Sequence, residues 1–99
     1  MLNIKTAKDA EKLTVALEGR LDTVTAPELE KCFKEALPGV TELVMDFEKL
    51  DYISSAGLRV LLSAHKAMSK QGAMKVTNVN EMVMEVFEVT GFSDILTIE

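Results

Sequence analysis

The chain has 99 residues, 47% of them hydrophobic, and a formal net charge of −5 from 11 basic and 16 acidic residues. This length predicts one domain, residues 1–99, and the composition is that of a globular protein rather than a disordered or fibrous one. The acidic balance argues against anionic partners, namely nucleic acid and acidic membranes. Cys32 is the only cysteine, which excludes an internal disulfide and a multi-cysteine zinc site.

The sequence also predicts neither membrane insertion nor export. It contains no run of about 18 apolar residues, the length that spans a bilayer. Its first residues, Met-Leu-Asn-Ile-Lys, lack the basic and apolar regions of a signal peptide. We therefore expect a cytoplasmic protein.

The first part of the chain predicts a β-hairpin. Apolar and polar residues alternate over 2–6 and again over 13–17, and the polar stretch 8–12 between them favours a turn. Two such strands pair antiparallel. The alternation then breaks at residues 19–22, Gly-Arg-Leu-Asp.

A first helix is predicted to follow. Thr25 suits its N-cap, with Pro27 in the first turn and Glu28 as the capping-box partner. Apolar residues recur at helical spacing as far as Leu37, where a Pro-Gly pair ends the helix. Cys32 falls on this apolar face, which favours a buried structural thiol.

A short strand and a central helix come next. Residues 43–47 are apolar, which predicts a strand buried on both faces. From about Ser55 to Lys70 the polar residues form one helical stripe and the apolar residues another. Gly72 is expected to end this helix in the left-handed conformation.

The remaining elements are a strand at 74–77, a helix capped by Asn80 and ended by Gly91, and a last strand at 95–98. Strands that alternate with helices are typical of right-handed crossovers between parallel strands. The expected fold is therefore α/β, a mostly parallel, five-stranded mixed sheet with an antiparallel edge strand and three main helices.

The residues do not favour catalysis. The single histidine, His65, would lie about 15 Å from Ser55 along one helix, too far for a nucleophile–base pair within one chain. It also falls between apolar residues, which favours a packed core histidine. Dinucleotide-binding and P-loop motifs are missing. We expect a protein that is not an enzyme, with no cofactor and no metal.

Two adjacent serines at the start of the central helix remain. Most serines at such a position only cap the helix, and this is our interpretation of Ser54. Ser55 differs because Ala56 and Gly57 leave its hydroxyl uncrowded, and glycine is unfavourable in a first turn unless close approach matters. A phosphate would be well placed at this helix end. Our hypothesis is that Ser55 is modified and that the modification decides which partner binds, with Ser54 as the second candidate.

Two carboxylates are expected near these serines. Asp22 and Asp46 would follow strands at the rim where open parallel sheets expose their carboxyl ends. There they would add to the negative potential around a modified Ser55. Asp46 is a poor receiver-type phosphoacceptor, because Arg20 and Asp22 do not make a magnesium pair.

Four segments resemble the STAS domains of anti-sigma factor antagonists. They are Gly-Arg-Leu-Asp at 19–22 followed by Thr-Ala-Pro at 25–27, Val-Met-Asp-Phe at 44–47, Tyr-Ile-Ser-Ser-Ala-Gly-Leu at 52–58, and Val-Phe-Glu-Val-Thr-Gly-Phe at 86–92. The best-known members have Asp at Ser54, Ser or Thr at Ala56, Gly at Arg59 and Glu at Arg20. Two fewer acids and two more bases indicate a different kinase surface, or a kinase with compensating charge.

The resemblance implies a phosphoprotein of bacterial transcription regulation that works by partner switching. In this family the unmodified antagonist binds an anti-sigma factor serine kinase and so frees the sigma factor. Phosphorylation of the loop serine by the kinase ends binding, and a PP2C-type phosphatase restores it. By this resemblance Ser55 is the acceptor, and the partner-binding residues are Asp22, Thr23, Asp46, Tyr52, Ile53, Ser54, Ala56, Gly57 and Arg59.

The alternative is a STAS accessory subunit that is not phosphorylated and regulates another complex, such as a lipid-transport ATPase, by docking alone. Phosphorylation of Ser55 by a co-encoded kinase separates the two. Whether the chain forms a weak dimer is left open.

Overall fold

Strands and helices alternate along the chain in the computed structural model, which describes residues 2–99. The elements are β1 (Leu2–Asp9), β2 (Lys12–Leu21), α1 (Ala26–Ala36), β3 (Glu42–Ile53), α2 (Ser55–Gln71), β4 (Ala73–Thr77), α3 (Glu81–Thr90), a 3-10 turn (Phe92–Asp94) and β5 (Thr97–Ile98). The last strand is shorter than the predicted 95–98 because the N–H groups of Ile95 and Leu96 donate back to the Phe92 carbonyl of the 3-10 turn, at 3.0 and 2.8 Å.

The five strands form one sheet in the order β1-β2-β3-β4-β5. β1 and β2 pair antiparallel from Asp9 and Lys12 outward, so the turn is confined to two residues. The β2–β3, β3–β4 and β4–β5 pairs are parallel. The mostly parallel sheet with an antiparallel edge strand is thus confirmed, and the carboxyl ends of β2 and β3 meet at one edge because Leu21 pairs with Ile53.

One face of the sheet carries the core. The register places Val15 beside Met45, and Met45 beside Val76. These side chains join the apolar faces of the three helices in one buried cluster, which includes Leu29, Leu61 and Phe87. The helices therefore cover the same face of the sheet.

The predicted burial of residues 43–47 on both faces is largely confirmed, since all of them except Asp46 are buried, but the prediction that β3 is short is wrong. β3 runs on to Ile53 because its second half still pairs with β2, through register shifts after Ala16 and Gly19. For the same reason residues 19–21 belong to β2 and do not interrupt it. On the face opposite the helices, Ala16 pairs with Asp46, which is only half-buried.

The predicted ends of α3 are confirmed, and that of α2 is corrected. Asn80 caps α3 by accepting from the Val83 N–H at 2.8 Å, and Gly91 ends α3 with a φ of 82°. Gly72 ends α2 with an extended φ of 175°, not in the left-handed region. It is required for space, because a Cβ at this position would clash with the Thr41 carbonyl group.

Two side chains are less buried than expected. Cys32 is half-buried, and burial, followed by the nearby charge of Glu35, raises the pKa of its thiol, so the thiolate is disfavoured. His65 is half-buried on α2 rather than enclosed in the core. No helix within residues 2–99 is long and apolar enough to cross a membrane.

Candidate partner-binding site

Ser55 is the first residue of α2, and its side chain is exposed. The side-chain cap is supplied by its neighbour Ser54, which accepts a long hydrogen bond of 3.5 Å from the Gly57 N–H. The interpretation of Ser54 as the capping residue is confirmed. Ser55 is exposed and is not the side-chain cap, and its modification stays a hypothesis.

The backbone around Ser55 is fixed on both sides. Only Ser54 separates the end of β3 from the start of α2. The Ser54 N–H donates to the Leu21 carbonyl at 2.9 Å, and its own carbonyl accepts from the Leu58 N–H at 2.9 Å. The start of α2 is therefore anchored to the end of β2, and Ser55 is presented from a defined backbone.

Gly57 serves a different purpose from the one expected. It is buried, and a Cβ at this position would lie 2.7 Å from Cγ of Leu21 and 3.0 Å from Cγ1 of Ile53. The close approach is therefore between α2 and the ends of β2 and β3. Gly57 allows the helix to pack there and does not clear a path to the Ser55 hydroxyl.

Asp22 organises the loop that precedes α1. Its Oδ1 accepts from the N–H groups of Val24 at 3.0 Å and Thr25 at 3.1 Å. The Thr25 N–H hydrogen bond is the largest influence on the pKa of Asp22 and lowers it, because it stabilises the ionised carboxylate. Arg20 adds an ion pair at 3.8 Å. The Asp22 carboxylate is thus largely engaged within its own loop.

Thr25 is the N-cap residue of α1 and Pro27 lies in its first turn, as predicted, but the predicted capping box is wrong. The Thr25 side chain makes no cap hydrogen bond; its hydroxyl donates to the Arg20 carbonyl at 2.8 Å and accepts from the Asp22 N–H at 2.9 Å. These bonds, with that from the Ala26 N–H to the Asp22 carbonyl at 2.8 Å, close the loop on itself.

The same loop carries an exposed apolar side chain that the sequence analysis missed. Val24 is 82% exposed, and its backbone N–H is held by Asp22. Thr23, beside it, is also exposed. The signal available in the sequence was an apolar residue between two threonines in a polar loop, directly after the strand that pairs with β3.

Arg20 and Tyr52, near the carboxyl ends of β2 and β3, are the part of the site that the sheet contributes. They pair across β2 and β3, and the Arg20 guanidinium carbon lies 4.3 Å from the centre of the Tyr52 ring, a cation–π contact. This stacking restricts both side chains.

Two shallow clefts bear on the predicted residues. One, of about 240 Å³, lies on the sheet face near Asp46, and the other, of about 190 Å³, lies beside the start of α2. The second one separates the starts of α1 and α2 and is lined in part by Thr23, Ala56 and Arg59. Three of the predicted partner-binding residues are therefore brought together around one depression.

Two of the predicted residues do not belong to this surface. Asp46 lies about 20 Å along β3 from Ile53, and its carboxylate accepts from the Asn78 side chain and the Glu48 N–H, both at 3.0 Å. The expectation that it lies at the rim with Asp22 is wrong, because β3 continues past it. Ile53 is only 3% exposed, so it packs in the core beneath Gly57 and offers no surface to a partner.

The arrangement offers no catalytic pair around Ser55. Ser55 and His65 lie on the same helix, about 15 Å apart along its axis. Within the part of the chain that the structure describes, no group of three or more His, Cys, Asp and Glu side chains is arranged to hold a metal. What the site offers is an exposed hydroxyl among ordered polar and apolar contact groups.

Comparison with known proteins agrees with this fold. The family model of the STAS domain matches residues 2–99. A putative anti-sigma factor antagonist, BtrV of Bordetella bronchiseptica, is 36% identical over 87% of this chain and 76% of its own length. An anti-sigma factor antagonist from Mycobacterium paratuberculosis has a similar structure, with a TM-score of 0.90 at 20% identity over 99% of this chain and 85% of that one. The Bacillus cell fate determinant SpoIIAA in its phosphorylated form has a TM-score of 0.76 at 19% identity, over 98% and 91%.

Proposed function

The chain belongs to the STAS domain family, and we propose that it is an anti-sigma factor antagonist that acts by partner switching. In this proposal the unmodified protein binds an anti-sigma factor serine kinase through the surface around Ser55 and thereby releases a sigma factor. Phosphorylation of Ser55 ends this binding, and a PP2C-type phosphatase restores it. The observation that carries the proposal is the exposed Ser55 hydroxyl at the start of α2.

The reaction on Ser55 is a phosphoryl transfer that the partner catalyses. The Ser55 oxygen forms a bond to the γ-phosphorus of ATP, the bond from that phosphorus to ADP breaks, and the hydroxyl proton passes to a base on the kinase. This chain supplies only the acceptor oxygen, and its one histidine, His65, lies about 15 Å from Ser55 along α2.

The domain is suited to tolerate the phosphate. The group would bring a charge of about −1.5 to −2 to a helix start, where unpaired N–H groups and the helix dipole favour anions. Ser54 already caps the helix, so modification of Ser55 removes no existing cap. The fold should therefore persist after phosphorylation.

A partner packed on the same surface would not tolerate it. A new charge would be desolvated beneath the partner, at the same end of the molecule as Asp22, whose carboxylate stays ionised. The SpoIIAA structure supports the proposal that the folded domain itself tolerates a phosphate, since that structure, which has the same fold, is of the phosphorylated form.

The direct test is a kinase assay with matched serine variants. Wild type and Ser54→Ala should take up one phosphate from ATP and a candidate anti-sigma factor serine kinase, and Ser55→Ala should take up none; mass spectrometry locates the phosphate. The unmodified protein should bind the kinase at least about tenfold more tightly than Ser55→Glu, because the added carboxylate meets the partner's surface. Ser69→Glu, an exposed change at the far end of α2, is the control for added charge.

Phosphate on another residue, or equal affinities of wild type and Ser55→Glu, would contradict the proposal. Tight binding to a complex other than a kinase, with no phosphorylation at all, would favour the accessory-subunit alternative.

A further inference from the structure

We propose that the Arg59 guanidinium forms an ion pair with the phosphate on modified Ser55. Phosphorylation would then add a negative charge to the docking surface and also neutralise a positive one. This inference rests on the proposed function, because it concerns the same serine. It assigns Arg59 as a positioning residue for the phosphate.

Helix geometry brings the two side chains together. Arg59 follows Ser55 by four residues on α2, and both are exposed. Residues four apart on a helix lie about 5–6 Å from each other. Long side chains on a helix generally lean toward the helix start, which puts Ser55 within the reach of the Arg59 side chain. An anion that precedes a cation by four residues is the favourable order.

Arg59 is not engaged elsewhere. Five ion pairs are found within residues 2–99, and Arg59 takes part in none of them. The acid that shares its cleft, Glu30, pairs instead with Lys34 at 3.7 Å.

Arg20 is already committed, in contrast. It pairs with Asp22 and stacks on Tyr52, as described above. Of the two arginines at this end of the molecule, Arg59 is therefore the one whose planar fork is available for two hydrogen bonds to phosphate oxygens.

The pairing gives the switch a second effect. In the unmodified protein Arg59 can meet a carboxylate of the partner across the cleft. In the phosphorylated protein the same guanidinium is bound within this chain, so the partner's acidic group loses its counter-ion and faces the phosphate.

The test uses full-length protein with phosphoserine installed at position 55 by genetic encoding, so that no kinase is needed. Melting temperatures are measured with and without the phosphate in wild type, Arg59→Gln and Lys66→Gln. Lys66 lies on the same exposed stripe, about 16 Å from Ser55 along the helix, and its loss is the matched control for charge.

We expect the phosphate to change the melting temperature more favourably in wild type than in Arg59→Gln, by about 2 °C. Lys66→Gln should respond as wild type does. The Nε–H resonance of Arg59 should also shift on phosphorylation, and that of Arg20 should shift less.

Equal effects of the phosphate in wild type and Arg59→Gln, with an unmoved Arg59 resonance, would overturn the inference and leave the proposed function standing. Failure of the proposed function is detected separately, by the kinase assay on Ser55.

Discussion

Two valines of nearly equal exposure lie in two different regions of this molecule. Val24, in the loop before α1, is 82% exposed, and Val89, near the end of α3, is 81% exposed. Val24 sits in a loop closed by hydrogen bonds from Asp22 and Thr25, beside the anchored start of α2. Val89 lies in the last turn of α3, one residue before its final residue Thr90. Exposure alone does not distinguish the regions, and both are hydrogen-bonded; they differ because only the Val24 loop lies beside the start of α2.

The comparison can be tested most strongly through the glycine of each region. Gly57→Ala should lower the free energy of unfolding by about 1–3 kcal/mol, because the added Cβ overlaps Leu21 and Ile53. Gly91→Ala should cost about 1 kcal/mol, from its positive φ alone, since nothing lies within 4 Å of the added atom. Chemical denaturation measures both. A larger cost at Gly91 would mean that α2 is not tightly packed on the strand ends.

The valines themselves give a smaller effect. Val24→Ser should weaken binding to the proposed partner kinase by about fivefold, because an ordered apolar contact is lost. Val89→Ser changes the same atoms at the same exposure and should leave the affinity unchanged, as isothermal titration calorimetry would record. Equal losses in both variants would place the partner on α3 as well.

The smallest expected effect concerns pH. The pKa of Asp22 is lowered from 3.8 in the folded protein, so its ionised form stabilises the fold. That contribution is complete above the unfolded-state value near 3.8 and is lost as the pH falls through the lower folded-state value. Asp22→Asn should therefore be less stable than wild type at neutral pH, and the difference should shrink in acid.

Thermal unfolding across pH 2–7, about the range in which carboxyl groups titrate, would follow this difference. Asp94→Asn, in the 3-10 turn after α3, is the control for loss of one carboxylate. A wild-type advantage over Asp22→Asn that grows as the pH falls would contradict the role given to the Asp22 hydrogen bonds.

Features set by neighbours in sequence could be predicted. The Asn80 cap, the Gly91 terminator and the start of α2 at Ser55 depend on a few adjacent residues, and all three agree with the structure. The strand order also followed, because alternating strands and helices leave few ways to connect a parallel sheet.

Features set by contacts between residues distant in sequence could not be predicted. The length of β3 depends on pairing with β2 beyond two register shifts, so Asp46 was wrongly placed at the rim. The Thr25 hydroxyl is taken by the Arg20 carbonyl, which no capping pattern contains. Gly57 was recognised as unusual, but the atoms that require it belong to Leu21 and Ile53. Val24 was missed because the turn that presents it is closed by side-chain bonds.

The single residue between β3 and α2 limits what kind of enzyme can act on Ser55. Many protein-modifying enzymes bind a flexible, extended segment of their target in a cleft. Here the Ser54 backbone is hydrogen-bonded to Leu21 through its N–H and to Leu58 through its carbonyl, so the segment cannot be extended without breaking these bonds. An enzyme that modified Ser55, as we propose, would have to fit its active site over the folded surface, and we expect a short peptide copied from this segment to be a poorer substrate than the intact domain.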